Sequence, residues 1–423
     1  MRRRAPAGSR PPRRVAVALA GLYLAQTVPL YLVAAALPPI LRERGVDLAT
    51  IGTLGVLLAP WVLKAAWAPA VDRLSRRRRV GRKGVVLACL GLTVAGLAVL
   101  SALDPVADAG RFFPVLMTMS LASATQDIAA DGWAIEHLEP GEQPAGNALQ
   151  AGATAGGVIL GGSGTLLLIG PLGWSATLLA VAGVAVVSVL PFLWLPEGAH
   201  ARALPEEPGR VRPGLRRFLG LPGAGAMLLF AVIFRLPEGL VKALEQPFLV
   251  DQGLSLAEVG LISGGAAAAV GLLGAGAGAA AIGRLGLGPF LVALVVGRTL
   301  VFGAFFAAAG FGIGTAALVA LSAVDTFLRY VEIVGLSTAF MRFASLAQPG
   351  TDFTALSSVT LAMYMIGSLV AGHAAHSFGY APVFGAALVL SALTGWLAVR
   401  CLPAHVARPP SPRHPRSSQE TPA

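Results

Sequence analysis

Charge is scarce in this sequence. Asp, Glu, Lys and Arg together make up 13% of 423 residues, against about 25% in soluble domains. A chain this poor in charge cannot cover the water-facing surface that a soluble protein of its length exposes, and disorder is excluded on the same ground. Only two cysteines occur, Cys89 and Cys401, so there is no disulfide framework and no thiolate metal cluster. Also missing are a phosphate-binding loop ending in Lys-Ser/Thr, an HExxH helix and a Gly-x-y period. Those absences argue against nucleotide hydrolysis, zinc peptidase chemistry and a collagen. What is abundant is apolar: 55% hydrophobic residues and a mean hydropathy of +0.73. The class that remains is an all-α polytopic membrane protein.

A helical span takes about 20 apolar residues. Polar breaks divide the chain into twelve such stretches, near 15–37, 51–70, 84–103, 111–135, 147–170, 174–195, 223–245, 258–281, 289–309, 314–341, 354–375 and 380–400. The first is too long for the roughly 7–15-residue core of a signal peptide and reads as an uncleaved span. The domain reading is a basic N-terminus 1–14, a six-helix bundle 15–195, a linker 196–222, a second bundle 223–400 and a tail 401–423 rich in Pro, Ser and Arg.

The net charge of +11 would suggest nucleic acid in a soluble protein, but its distribution suggests topology. With the N-terminus in the cytoplasm, 24 of the 32 Lys and Arg residues fall on the cytoplasmic side and three outside. The positive-inside rule then places both termini in the cytoplasm. Nucleic acid is not an expected partner. The run Arg76 to Arg79 reads as a contact to anionic lipid.

The two halves repeat. PILRERGVDLATIG after the first span and PFLVDQGLSLAEVG after the seventh align Pro39, Gly45 and Gly52 with Pro247, Gly253 and Gly260 at a constant offset of 208. Two six-helix halves in the same orientation are the plan of parallel-repeat secondary transporters, whose cargo site lies between the halves near the midplane.

Asp72-Arg73, after the second span, lies where the major facilitator superfamily carries Gly-x-x-x-Asp-Arg-x-Gly-Arg-Arg, although Ala68 and Ser75 replace the first two glycines. In the fourth span SATQDIAADGW, Ser123 to Trp133, resembles the signature of muropeptide permeases and acetyl-CoA transporters. The stretches Glu238–Gly260 and Pro349–Ser358 resemble the related siderophore permeases. The resemblance implies twelve transmembrane helices in two bundles of the major facilitator type. It further implies alternating access, a gating role for Asp72 and Arg73, and import rather than export.

Eleven charged residues fall inside the expected spans: Lys64, Asp127, Asp131, Arg235, Glu238, Lys242, Glu245, Arg298, Asp325, Arg329 and Glu332. Each would cost about 2.5–3.5 kcal/mol at the bilayer centre, so they must pair with one another or face a watery cavity. Asp127 and Asp131 sit four residues apart on one helical face and are proton-coupling candidates, together with Glu238, Asp325 and Glu332. Arg235, Lys242 and Arg329 are cargo-path candidates because each can meet an anionic group, the two guanidiniums in two-pronged fashion and the ammonium as a point charge. Polar or aromatic groups that could line the same path are Tyr23, Gln26, Tyr31, Gln126 and Tyr364. The alternative for the acids is a structural one, as hydrogen-bonded ties between helices, and for span seven a self-neutralising ladder. His373 and His376 lack further ligands nearby, so no metal is expected, and no cofactor.

These readings converge on a secondary transporter in the bacterial inner membrane. It would be a monomer in the lipid bilayer, importing a small-molecule cargo together with protons. A siderophore is the leading cargo and a muropeptide the alternative. A membrane-embedded transferase and a non-transporting receptor are the readings from other classes.

Overall fold

The computed structural model describes residues 8–77, 80–196 and 212–407. Arg2 to Arg4, Arg78 and Arg79, most of the expected linker and the tail from Arg408 lie outside the described residues. Among those described there is helix and no strand. In chain order the helices are α1 (Arg13–Glu43), the bent α2 (Thr50–Ala66 with Ala68–Ser75), α3 (Gly81–Ser101), α4 (Ala109–His137), and α5 and α6, the two arms of Gln143–Trp194. The second half has α7 (Ala224–Asp251), α8 (Glu258–Leu285), α9 (Leu287–Phe311), α10 (Thr315–Phe343), α11 (Pro349–Phe378) and α12 (Tyr380–Cys401). Eight continuous helices are long and apolar enough to cross a membrane, or nine with the bent pair. Helices α4 and α10, of 29 residues each, are as long but less apolar, because they carry the buried acids. The 52-residue stretch Gln143–Trp194 is two spans, since it turns at Gly173. The arrangement is consistent with the twelve stretches expected from the sequence.

The breaks have local causes. Gly173 sits at φ 76, ψ 174, a conformation that a Cβ disfavours. In α1 the helix widens into a π turn over Leu32–Ala36, just after Pro29, which has no N–H to give to the ladder. Helix α2 is irregular: 3-10 turns at Thr53–Leu58 and Lys64–Ala66 flank Pro60, and the axis bends by 63° before Ala68. Several helices also run past the expected span edges. The apolar count stops at the first polar cluster, whereas backbone hydrogen bonding continues through it.

The repeat is visible in the backbone. Gly45 ends α1 at φ 84 and Gly253 ends α7 at φ 95. Around them Val46 N donates to Leu41 O at 3.0 Å and Leu254 N to Leu249 O at 3.2 Å. Both turns are the same left-handed helix stop, 208 residues apart.

Helices α1 and α5 pack at backbone contact. A Cβ built on Gly161 would lie 2.0 Å from the Val28 carbonyl oxygen, so no side chain fits there without moving α1. Gly161→Val is expected to destabilise by at least the ~1–3 kcal/mol typical of overpacking, read as a lower Tm of the purified protein in detergent.

Candidate functional site

The charged residues inside the spans expected from the sequence comprise five cations and six acids, and burial forces them to find each other. The second half holds four of each and pairs them all. Arg235 bridges two acids: Glu238, one turn along α7, and Glu332 of α10 at 2.9 Å. Arg298 of α9 meets the other Glu332 oxygen at 3.1 Å and donates to the Phe234 carbonyl at 2.8 Å. Arg329 of α10 approaches Glu238 at 3.3 Å. One to two turns further along α7, Lys242 pairs with Glu245 and lies 3.6 Å from Asp325, while Ser322 donates to Glu245. The α7 ladder read from the sequence therefore exists, but it is tied into α9 and α10 rather than closed on itself.

Tyr364 of α11 stands between two guanidiniums, with Arg235 5.3 Å and Arg329 5.7 Å from its ring centroid. Arg329 keeps 32% of its side chain exposed, more than Arg235, Lys242 or Arg298. Tyr31 of α1 lies within electrostatic reach of Arg329 and Tyr364.

The first half contributes one cation and two acids. Lys64 of α2 pairs with Asp127, whose other oxygen accepts from Gln26 Nε2 at 2.7 Å. Trp61 lies under the ammonium, 5.2 Å to its ring centroid. Asp131, one turn on, is 1% exposed and accepts only neutral donors: Tyr23 OH at 2.9 Å and Gln150 Nε2 at 3.2 Å. Among the described residues no cation lies within ion-pair distance of Asp131. It is the acid left over by the count.

These two groups meet at a cavity of about 200 Å³ whose wall includes Lys64, Asp127, Asp131 and Gln150 from the first half, and Arg235, Ser337, Ser357 and Thr360 from the second. Towards the helix ends that carry the termini, the halves are sealed. Asp72, 1% exposed, accepts from Thr351 N at 2.6 Å, Thr351 Oγ1 at 2.7 Å and Arg82 Nη2 at 2.9 Å. Arg82 also holds Glu136 at 2.9 Å. Arg76 donates to the Ala347 carbonyl, and Asn147 to Thr338 at 3.1 Å. Asp72→Asn should weaken this seal by about tenfold, the value of a charge-assisted hydrogen bond. The readout is faster maleimide labelling of a cysteine placed at Ala347 in a Cys401→Ser background.

The structure brings together most of the residues singled out by sequence: Tyr23, Gln26, Asp127 and Asp131 in the first half, and Arg235, Glu238, Lys242, Asp325, Arg329, Glu332 and Tyr364 in the second. Gln126 is buried beside them, and its Nε2 has no hydrogen-bond partner among the described residues. Arg73 turns back to its own helix, donating to Pro69 O at 3.1 Å, so Asp72 and Arg82 make the seal. Arg76, read as a lipid contact, is exposed and donates to the Ala347 carbonyl of the other half. The sequence reading gave Glu245 a place only in the span-seven ladder, and no site role to Lys64, Gln150 or Arg298. Lys64 and Arg298 did leave a signal, since each is the lone charge in its expected span and must find an acid on another helix.

Comparison with known proteins agrees with this geometry. The Major Facilitator Superfamily profile matches residues 19–349. The anhydromuropeptide permease of Escherichia coli K12 is 28% identical over 246 residues, covering 57% of this chain and 50% of that protein. The putative transporter AmpG 4 of Rickettsia conorii is 25% identical over 247 residues, covering 56% and 60%. The chain thus spans about half the length of the curated relatives it matches. Among solved structures, the human organic anion transporter MFSD10 superposes with a TM-score of 0.67 at 19% identity, over 92% of this chain and 100% of that one. FucP in its outward conformation gives 0.67 at 14% identity, over 92% and 97%. With a family match over most of its length, helices throughout and buried charges gathered at a cavity between its halves, the chain belongs to the Major Facilitator Superfamily of membrane transporters.

Proposed function

We infer that this transporter imports an acidic cell-wall fragment of the anhydromuropeptide type together with protons, and that Asp131 carries the proton. The observation that carries the reading is the charge balance within the spans expected from the sequence: every other acid there has a cation, whereas Asp131 has a phenol and an amide. Protonating a paired acid breaks an ion pair in low dielectric, which is costly. Protonating Asp131 breaks none and removes an unbalanced buried charge. Its place on the cavity wall beside Lys64 and Arg235 lets cargo and proton sense each other.

Arg235 and Arg329 flanking Tyr364 supply the complementary half, a cationic and aromatic surface suited to carboxylates and sugar faces. The named relatives shift the balance from a siderophore towards the cell-wall fragment, and nothing in the site's chemistry favours an iron chelate over it. The transferase and receptor readings gain no support from family membership. With the termini in the cytoplasm, as the basic loops favour, the Asp72–Thr351 seal is the inner gate. The state described is then the outward-facing one, ready to load from outside, and the two bundles would be residues 15–195 and 223–400.

The test is uptake by the purified protein in liposomes, offering an anhydromuropeptide and a ferric siderophore in parallel, with and without an inward pH gradient. Muropeptide accumulation that follows the gradient supports the reading. Siderophore accumulation, or muropeptide flux indifferent to the gradient, overturns the cargo or the coupling respectively.

A further inference from the structure

A second cavity, of about 260 Å³, lies among α1, α2, α3 and α4. Its wall is apolar, built chiefly of Leu30, Val33, Leu54, Leu57, Leu116 and Met119. For scale, an apolar cavity of ~150 Å³ takes up benzene. Three hydroxyls also reach it. Those of Thr93 and Ser120 are satisfied by the Cys89 and Leu57 carbonyls. Ser123 is different: it is 7% exposed, and its Oγ has no hydrogen-bond partner among the described residues. A buried hydroxyl without a partner costs about 1–3 kcal/mol, so a hydrogen-bonding ligand group at this position would be stabilised.

The position relative to the ion pair defines the ligand. Ser123 and Asp127 share a face of α4, one turn or about 6 Å apart, and Leu57 stands two turns from Lys64 along α2. Ser123 therefore stands between the apolar cavity and the Lys64–Asp127 pair, which lines the cavity between the halves. We propose that this cavity is a ligand subsite for an N-acyl group, taking the acyl chain among the leucines, the amide at Ser123 and a nearby carboxylate at Lys64. The ligand class is an N-acylated amino or sugar acid. As a cargo subsite this rests on the import reading; as a binding site it stands apart from it.

The probes are N-acylglycines from acetyl to octanoyl, titrated into the full chain in nanodiscs, with empty nanodiscs subtracted. Affinity should rise about fourfold per methylene, the equivalent of ~0.8 kcal/mol per buried CH₂, until the cavity is filled. Gly55 lies on the cavity wall, and a Cβ built on it meets nothing within 4 Å. Gly55→Leu should therefore flatten the chain-length dependence and leave N-acetylglycine binding unchanged. Ser123→Ala should weaken the acylglycines threefold to tenfold and spare plain fatty acids, which lack the amide. Affinity independent of chain length in the wild-type protein, or length dependence unchanged in Gly55→Leu, overturns the proposal. Muropeptide counterflow on the same preparations separates the two readings. Loss of counterflow with length-dependent binding intact removes the import reading and leaves the subsite. The converse removes the subsite alone.

Discussion

Asp131→Asn is expected to abolish gradient-driven accumulation, by at least a hundredfold, while leaving cargo exchange across the membrane close to wild type. The asymmetry follows from what Asp131 touches. An asparagine keeps an oxygen that accepts from Tyr23 and Gln150, now at 2.9 and 3.2 Å, so the helix contacts among α1, α4 and α5 persist. What it cannot do is gain and lose a proton. In proton symport the carrier must be protonated where protons are abundant and must release them on the other side. A permanently neutral side chain therefore mimics the loaded form, and the cycle continues only with cargo on both strokes. Counterflow, which needs no net proton movement, measures that residue of function.

Asp127→Asn should behave differently. It strips Lys64 of its only described ion-pair partner and leaves a buried ammonium exposed to the full desolvation penalty. Exchange and accumulation should fall together, along with Tm. If instead Asp127→Asn uncoupled and Asp131→Asn did not, the proton would have to be reassigned to the Lys64 pair.

How much of this was legible beforehand can be argued from the same residues. Composition and charge placement are local sums, so the membrane class and the twelve stretches could be read from the chain. A constant offset of 208 is equally readable, and the paired turns at Gly45 and Gly253 give it a physical cause. The spacing of Asp127 and Asp131 placed both acids on one helical face but could not distinguish their roles. That distinction depends on Lys64, 63 positions away, choosing one and not the other. The choice is made by α2, whose 3-10 turns and 63° bend aim the lysine. Pro60 and Pro69 hint at an irregular helix but give no direction for its side chains. That Asp72 and Arg73 take different partners has a related reason. A residue next to a functional acid in sequence points about 100° away from it on a helix, and the partner of Asp72 turned out to be Arg82, on the next helix.

Glu332→Gln should be the most destructive single change in the second half, with loss of most folded protein, whereas Glu332→Gln combined with Arg298→Gln should restore much of it. Glu332 is 1% exposed and meets Arg235 at 2.9 Å and Arg298 at 3.1 Å, binding α7, α9 and α10 at one point. Removing one partner from such a cluster typically costs 3–5 kcal/mol, because the remaining charge stays buried without compensation. Here two guanidiniums compete for what is left. Arg235 can fall back on Glu238, but among the described residues Arg298 then has only the Phe234 carbonyl, the Ser391 hydroxyl and the Phe234 and Phe302 rings, none of which carries a charge. Neutralising Arg298 as well returns the helices to charge balance, so the double variant should be more stable than the Glu332 single variant. An exposed pair offers the contrast. Arg44 and Asp104 meet at 2.7 Å, and the Asp104 carboxyl is held below its usual range first by the Ala107 and Val106 N–H groups and then by Arg44, so Arg44→Gln should leave Tm unchanged. Fluorescence-detected size exclusion with a thermal ramp reads all of these. A Glu332→Gln protein as stable as wild type would mean that water reaches the cluster, and the ion pairs would then owe their geometry to cargo binding rather than to folding.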